Sequence, residues 1–247
     1  MDRNVSPVSF GLIVLVGVLS LESDASSDAL DTLALPSPIV VELFTSQSCS
    51  SCPPADQILG ELAGHPQVIA LACHVTYWNH LNWKDTLSRN FCTERQRRYA
   101  SQRGSSRIYT PQMVVNGTAE FIGSRRGRVA QEIARSTPEL LPIKIKQTSK
   151  GTLTITLPAL KNQSQPLTLW LMHYQSHHTQ SMKSGENRGR TIDYTNAVQV
   201  QEKVGFWSGE GKTLTLNISK KVPAEGYAVL AQQNEYGPIV AAGKLLR

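Results

Sequence analysis

Cys49 and Cys52 form a Cys-x-x-Cys pair that runs directly into Pro53 and Pro54. Two thiols at this spacing can pass a disulfide to a partner: one thiolate attacks to form a mixed disulfide and the other resolves it. The plain alternative is a structural bridge, but so small a loop gains little chain entropy on closure, and exchange chemistry accounts for the pair better. Zinc sites use the same spacing, yet a zinc ribbon needs a second such pair and the sequence has none. Glu42 lies in the apolar run ahead of the pair, where a carboxylate is costly unless paired or protonated. It is a candidate to move protons for Cys52, and equally a satisfied residue at the end of a sheet. Thr110-Pro111 is a candidate cis peptide that would hold backbone polar groups against the dithiol for an extended substrate. Tyr77 and Trp78, in a stretch with His74, His80 and Trp83, are candidates to line a peptide groove, with a packing loop as the alternative. His74 joined to Cys49 and Cys52 would suit Cu(I) or Zn(II), a second use of the same sulfurs. No motif implies a resident cofactor.

These side chains need elements to position them. The run 39–44 (IVVELF) has the composition of a buried strand and stops at the polar cluster around Cys49. Pro53 and Pro54 suit the first turn of a helix that continues through Ala55, Ile58, Leu59 and Leu62. Positions 68–75 read as a second apolar strand. Positions 93–102 read as a helix, capped by Thr93 and closed by Gly104. A strand at 112–115, the hairpin signal Asn116-Gly117, a strand at 118–122 and a helix from Ser124 to about 136 complete the first half.

Strand, helix, strand, helix, strand, strand, helix, with a dithiol at the first strand-to-helix junction and a Thr-Pro entering the third strand, is the thioredoxin arrangement. A sulfur at a helix N-terminus meets unpaired N–H groups and the positive end of the dipole, so Cys49 is expected to be the accessible, attacking thiolate and Cys52 the shielded, resolving one. Asp56, in the first turn, is expected to be a charge that suits the dipole. Cys73 in an apolar strand reads as a buried free thiol, with a bridge to Cys92 as the alternative.

After Pro138 and Pro142 the helical pattern gives way to alternating segments at 153–157, 167–174, 191–200, 213–218 and 227–232, which suggest a small antiparallel sandwich or sheet. The expected fold class is α/β, a thioredoxin-like domain at 38–138 followed by a β-rich domain at 139–247. Glu186, Asn187, Arg188 and Arg190 are candidates for a polar hinge between the two.

The first 25 residues read as a secretory signal peptide, with Arg3, an apolar run at 8–21 and small residues at 23 and 25; 26–37 is a polar lead-in. Fourteen residues of helix rise only about 21 Å, short of a roughly 30 Å hydrocarbon core, which disfavours an anchor. The expected location is periplasmic or secreted, with no stable membrane span after cleavage. The 247-residue chain is 40% hydrophobic with a formal charge of +6, enough to build a sizeable core. Removing the leader leaves 24 basic and 16 acidic residues. Its arginine clusters carry no aromatic-studded nucleic-acid module, so the expected partner is a thiol- or disulfide-containing protein or small thiol, not nucleic acid. A non-catalytic binding role remains a third alternative.

Glu42 to Gln47 with Cys49-Ser50-Ser51-Cys52-Pro53-Pro54-Ala55-Asp56, then His74-Val75-Thr76-Tyr77-Trp78, Arg95-Gln96, Tyr99 and Tyr109-Thr110-Pro111-Gln112, resemble a secreted bacterial family catalogued as domain of unknown function 1223. Gly185-Glu186-Asn187, Gly189-Arg190 and Gly237-Pro238-Ile239 resemble its C-terminal motifs. The resemblance implies a thioredoxin-like fold with an extra β-rich part, found in Gram-negative bacteria and without an established substrate. Thr76 and Asn79 stand where that family usually carries Asp, and Cys73 and Cys92 where it does not usually carry cysteine.

Overall fold

Apart from Met1, the computed structural model of the protein describes residues 35–136, 139–149, 151–218 and 224–246. The signal-peptide reading at 1–25 and most of the lead-in lie outside these residues. β1 (Ile39–Thr45) and β2 (Val68–His74) are fully buried, as uninterrupted apolar strands covered on both faces must be. Between them runs α1 (Pro53–Ala63), whose Ala55, Ile58, Leu59 and Leu62 form one apolar stripe. Two prolines start it without losing a helical hydrogen bond.

α2 (Asn90–Gln102) begins three residues before the expected Thr93, whose hydroxyl instead accepts the Thr76 N–H at 2.9 Å. β3 (Gln112–Val115) and β4 (Ala119–Ile122) are joined through Asn116-Gly117, both at positive φ, the conformation a tight hairpin requires. α3 (Arg126–Ala134) follows, with Arg125 rather than Ser124 at its cap position. Ile39, Val41 and Leu43 pack with α1 and α3, while the alternate residues Glu42 and Phe44 face α2. That alternation decides which side chains can reach the dithiol.

The remaining strands are β5 (Leu141–Pro142), β6 (Lys144–Ser149), β7 (Thr152–Leu157), β8 (Leu167–Ser181), β9 (Thr191–Trp207), β10 (Lys212–Asn217), β11 (Gly226–Gln232) and β12 (Ile239–Leu246). One nine-stranded sheet runs in the order β4-β3-β1-β2-β9-β8-β11-β12-β5, crossing position 138 through the parallel pair Ala72↔Ala197. A three-stranded sheet, β10-β7-β6, packs on its far half around Ile155, Leu169 and Val229. The fold is thus mixed α/β with a large sheet and few helices.

The β8–β9 hairpin is longer than the sheet needs. At Asn196, which has φ 50° and donates its amide to the Ala70 carbonyl at 2.9 Å, β9 stops following β2. Residues 191–195 lie over α1 instead, where Thr195 Oγ1 abuts Gly60, and the hairpin tip at 182–190 reaches the Cys49 loop. Among the described residues, no helix is long and apolar enough to cross a membrane.

Candidate active site

Cys49 and Cys52 are joined in a disulfide at the junction of β1 and α1, with Cα atoms 5.4 Å apart. Cys52 occupies the N-cap position. Both cysteines are buried, 1% and 0% exposed, and it is Ser50 and Ser51 that face solvent. This corrects the expectation of an accessible Cys49, whose loop is bound by both the hairpin tip and the segment 75–89. The expected ring of free N–H groups is also thinner than a helix start usually offers. Pro53 and Pro54 have none, and the Ser50 N–H is given to Glu186 Oε2 at 3.1 Å. Cys49 Sγ has the Ser51 hydroxyl as a polar neighbour, at 3.4 Å.

Two distant segments hold the dithiol loop. From 75–89, Asp85 Oδ2 accepts the Gln47 N–H at 2.8 Å, the Trp83 carbonyl accepts the Ser48 hydroxyl at 2.7 Å, and Trp83 Nε1 donates to Gln47 Oε1 at 2.9 Å. From the hairpin tip, the buried Asn187 amide donates to the Gln47 and Cys49 carbonyls at 2.9 and 3.0 Å. Gly185 sits so close to Trp83 that a Cβ would lie 2.9 Å from the Trp83 Cβ, and its φ of +74° also favours glycine. Asn187 was a hinge candidate by sequence; its grip on the cysteine loop, 138 residues away, has no local signal.

The Thr110-Pro111 bond is cis. Gln112 pairs with Phe44, so Pro111 lies at the sheet end where β1 delivers the cysteines. Trp78 Nε1 donates to Thr110 Oγ1 at 2.8 Å, and Tyr77 packs beside Trp78 with ring centroids 6.2 Å apart. Both rings are half-buried, and burial pushes the Tyr77 hydroxyl up to about 12. The structure therefore brings Tyr77, Trp78, Thr110 and Pro111 together as one wall.

Glu42 does not belong to this site. It is 2% exposed on the α2 face of β1, bound by Arg95 Nε at 2.6 Å and Arg95 Nη2 at 3.0 Å and by the Tyr99 hydroxyl. Gln232 Oε1 accepts from Arg95 at 3.2 Å, so the carboxylate anchors a buried network on the side of the sheet away from α1. Strand alternation is the reason, and it corrects the role of proton carrier for Cys52.

The α1 side holds a different set. Thr45, Asp56, His74, Asp85 and Tyr194 are all buried there. Asp56, expected as a solvated first-turn charge, is 4% exposed because it lies four residues after Cys52 on the inward face of α1. Burial pushes its carboxyl up to about 7, against the opposing charge of His74 and the Thr45 hydroxyl. His74 Nδ1 meets Asp85 Oδ2 at 2.8 Å, and the Tyr194 ring covers it edge-on at 4.9 Å. Burial disfavours a charge on His74, yet the charge and hydrogen bond of Asp85 outweigh it and raise the imidazole. Burial likewise opposes the Asp85 charge, and His74 with the N–H groups of Gln47 and Leu87 holds that carboxyl down. Among the described residues, no three His, Cys, Asp or Glu side chains are grouped as a metal site. Cys73 is bridged to Cys92, with Cα atoms 5.2 Å apart, which corrects the free-thiol reading and ties β2 to α2.

The family model described as "Protein of unknown function (DUF1223)" matches residues 40–232. The chain belongs to this family. A crystal structure of another protein, AGR_C_4864 from Agrobacterium tumefaciens, is similar to it at 31% identity and a TM-score of 0.76, covering 86% of this chain and 96% of that one. HBP35 of Porphyromonas gingivalis is similar in fold alone, at 14% identity and a TM-score of 0.55, covering 86% of this chain and 76% of that one. No curated protein sequence matches the chain. In this DUF1223 member the dithiol, the cis proline and the Asn187 contact all lie within the matched span.

Proposed function

We propose that the protein is an extracytoplasmic thiol–disulfide oxidoreductase that works through Cys49 and Cys52 on a thioredoxin-like half-molecule. The observation that carries the reading is the Cys49–Cys52 disulfide at a strand-to-helix junction, at the same sheet end as a cis proline. The strand order β4-β3-β1-β2, with helices on both faces, supports a thioredoxin-like description. Two disulfides suit an oxidising compartment.

In the disulfide form, a substrate thiolate attacks the Cys49 sulfur and the bond to Cys52 breaks. Cys52 leaves with the electron pair and takes up a proton. A second substrate thiolate then attacks the substrate sulfur of the mixed disulfide, Cys49 leaves as thiolate, and the substrate departs oxidised while the protein is reduced by two electrons. The reverse sequence reduces a substrate disulfide. The wall of Tyr77, Trp78, Thr110 and Pro111 would receive the polypeptide or small thiol.

The test is electron transfer from the reduced full chain to glutathione disulfide or insulin without added metal. Cys49→Ser is expected to abolish it, whereas a chain with Cys73→Ala and Cys92→Ala keeps it. Transfer that survives Cys49→Ser, or tight stoichiometric Cu(I) or Zn(II) without exchange, overturns the reading.

A further inference from the structure

At the start of β9 the sheet has an open edge beside the dithiol. The Met182 N–H donates to the Arg190 carbonyl at 2.8 Å, and the register runs on without a shift through Ser181↔Thr191 and Thr179↔Asp193. Backbone groups alternate in direction along an antiparallel pair, so those of Ile192 and Tyr194 are turned to β8 and those of Thr191 and Asp193 are turned away from it. Ala197 has the same parity as these two, and it pairs with Ala72 of β2. The pairing with β2 is confined to that position, because β9 stops following β2 at Asn196. Thr191 and Asp193 therefore hold their N–H and C=O groups on the α1 side, with no strand opposite them among the described residues.

A groove of about 470 Å³ follows this edge. Thr191, Ile192 and Asp193 all line it, together with Arg190 and with Pro53 and Gln57 of α1. Adjacent side chains of a strand point to opposite faces, so a space bordered by three in a row runs along the edge and not over one face. Pro53 follows Cys52 directly, and Arg190 Nη1 donates at 3.2 Å to Asn187 Oδ1, on the side chain that holds the Cys49 carbonyl. The groove thus opens beside the dithiol loop. Exposed edges are usually blunted by charge, proline or a bulge. Positions 191–194 hold no proline and no bulge, and their one charged side chain, Asp193, is occupied in accepting the Thr179 hydroxyl of β8 at 2.5 Å.

We infer that this edge receives the substrate as an extended polypeptide strand, paired with Thr191 and Asp193 in the groove and carrying an acidic residue opposite Arg190. The inference rests on the oxidoreductase reading above and narrows its substrate from thiols in general to cysteine-bearing polypeptide. Added strands gain affinity from backbone hydrogen bonds and selectivity from side chains. The four positions from 190 to 193 span about 13 Å, enough for both outward-facing residues to be paired. A thiol without a peptide backbone has nothing to offer this edge. Arg190 is exposed and bonds to a neutral amide, which leaves its charge open to a carboxylate on the substrate.

The experiment mixes the oxidised full chain with a short reduced peptide holding two cysteines and a glutamate, and times formation of the peptide disulfide against oxidation of dithiothreitol. Methylating one alternate set of the peptide's amide nitrogens is expected to slow it about tenfold and methylating the other set is not, because one edge of the peptide meets β9. In Asp193→Pro, which removes an N–H that β8 does not use, the peptide rate divided by the dithiothreitol rate is expected to fall by about the same factor. A peptide with lysine in place of glutamate is expected to react more slowly than the original, and Arg190→Glu to reverse that order. Equal effects of the two methylated sets on the unmutated chain overturn the inference with no variant required to fold. An equal fall of both rates in Asp193→Pro, or a glutamate preference that survives Arg190→Glu, also overturns it. A wild type that sediments as a dimer beside a monomeric Asp193→Pro puts a second copy on the edge and overturns it as well. A wild type that oxidises neither the peptide nor dithiothreitol overturns the dithiol reading too, whereas oxidation of both with no effect of methylation leaves that reading standing.

Discussion

Cys49 has fewer donors around it than its position promises, and the Ser51 hydroxyl, 3.4 Å from its sulfur, is placed to hold a thiolate there. Ser51→Ala is expected to slow alkylation of Cys49 by about tenfold after selective reduction, measured at neutral pH. Asp56 acts on stability in the opposite sense to most acids. Its carboxyl is raised on folding, so the folded chain holds a proton that the unfolded chain has already released between about pH 4 and 7, and stability attributable to this group is lost as pH rises through that window. Asp56→Asn is expected to gain on the order of 2–4 kcal/mol over the wild type at pH 8 and to lose that advantage below pH 4 (about the pKa of a solvated aspartate), measured by urea unfolding at both pH values. A first-turn acid after two prolines looks the same in sequence whether it faces water or the core. Its burial depends on β9 folding over α1, which is why the spacing alone suggested a dipole partner.

At the scale of elements, the local signals were readable. Apolar runs marked β1 and β2, Asn116-Gly117 marked its hairpin, and Thr110-Pro111 marked the cis bond. β12 escaped because its Ala241-Ala242-Gly243 core has little strand propensity. Those small residues serve a close crossing instead, since a Cβ at Gly243 would lie 2.0 Å from the Ile143 carbonyl oxygen. The hairpin tip was the other gap, because nothing near Asn187 announces that it will meet Cys49. With both cysteines buried, a substrate sulfur can arrive only after their loop loosens, and this tip is bound to that loop. Asn187→Ala leaves the Gln47 and Cys49 carbonyls without its amide, a loss of about 1–3 kcal/mol. A cover loosened by about 1.4 kcal/mol opens tenfold more often, so reduction of Cys49–Cys52 by dithiothreitol is expected to accelerate by about that factor.

Over the whole molecule, the two halves are fastened on the face opposite the dithiol. Arg95 binds Glu42 of β1 and Gln232 of β11, and Gln232 also donates to the Tyr99 hydroxyl at 2.9 Å and the Gly237 carbonyl at 2.7 Å. Glu42→Ala strands a buried guanidinium and is expected to cost about 3–5 kcal/mol by denaturant unfolding, with the thiol exchange rate of the folded fraction unchanged. A fall in exchange at constant folded fraction would return Glu42 to the chemistry. The tip itself stands outside this fastening: Arg188, Gly189 and Arg190 are exposed, while β8 and β9 below them stay paired from Leu167↔Trp207 to Ser181↔Thr191. A trypsin-like protease cutting there would leave two fragments clasped in one sheet, still migrating together until denatured, yet with the tip that holds the cysteine loop severed. Such a nicked molecule is expected to keep its bulk and lose its guard, and a single cleavage would then serve as an irreversible way of arming the dithiol.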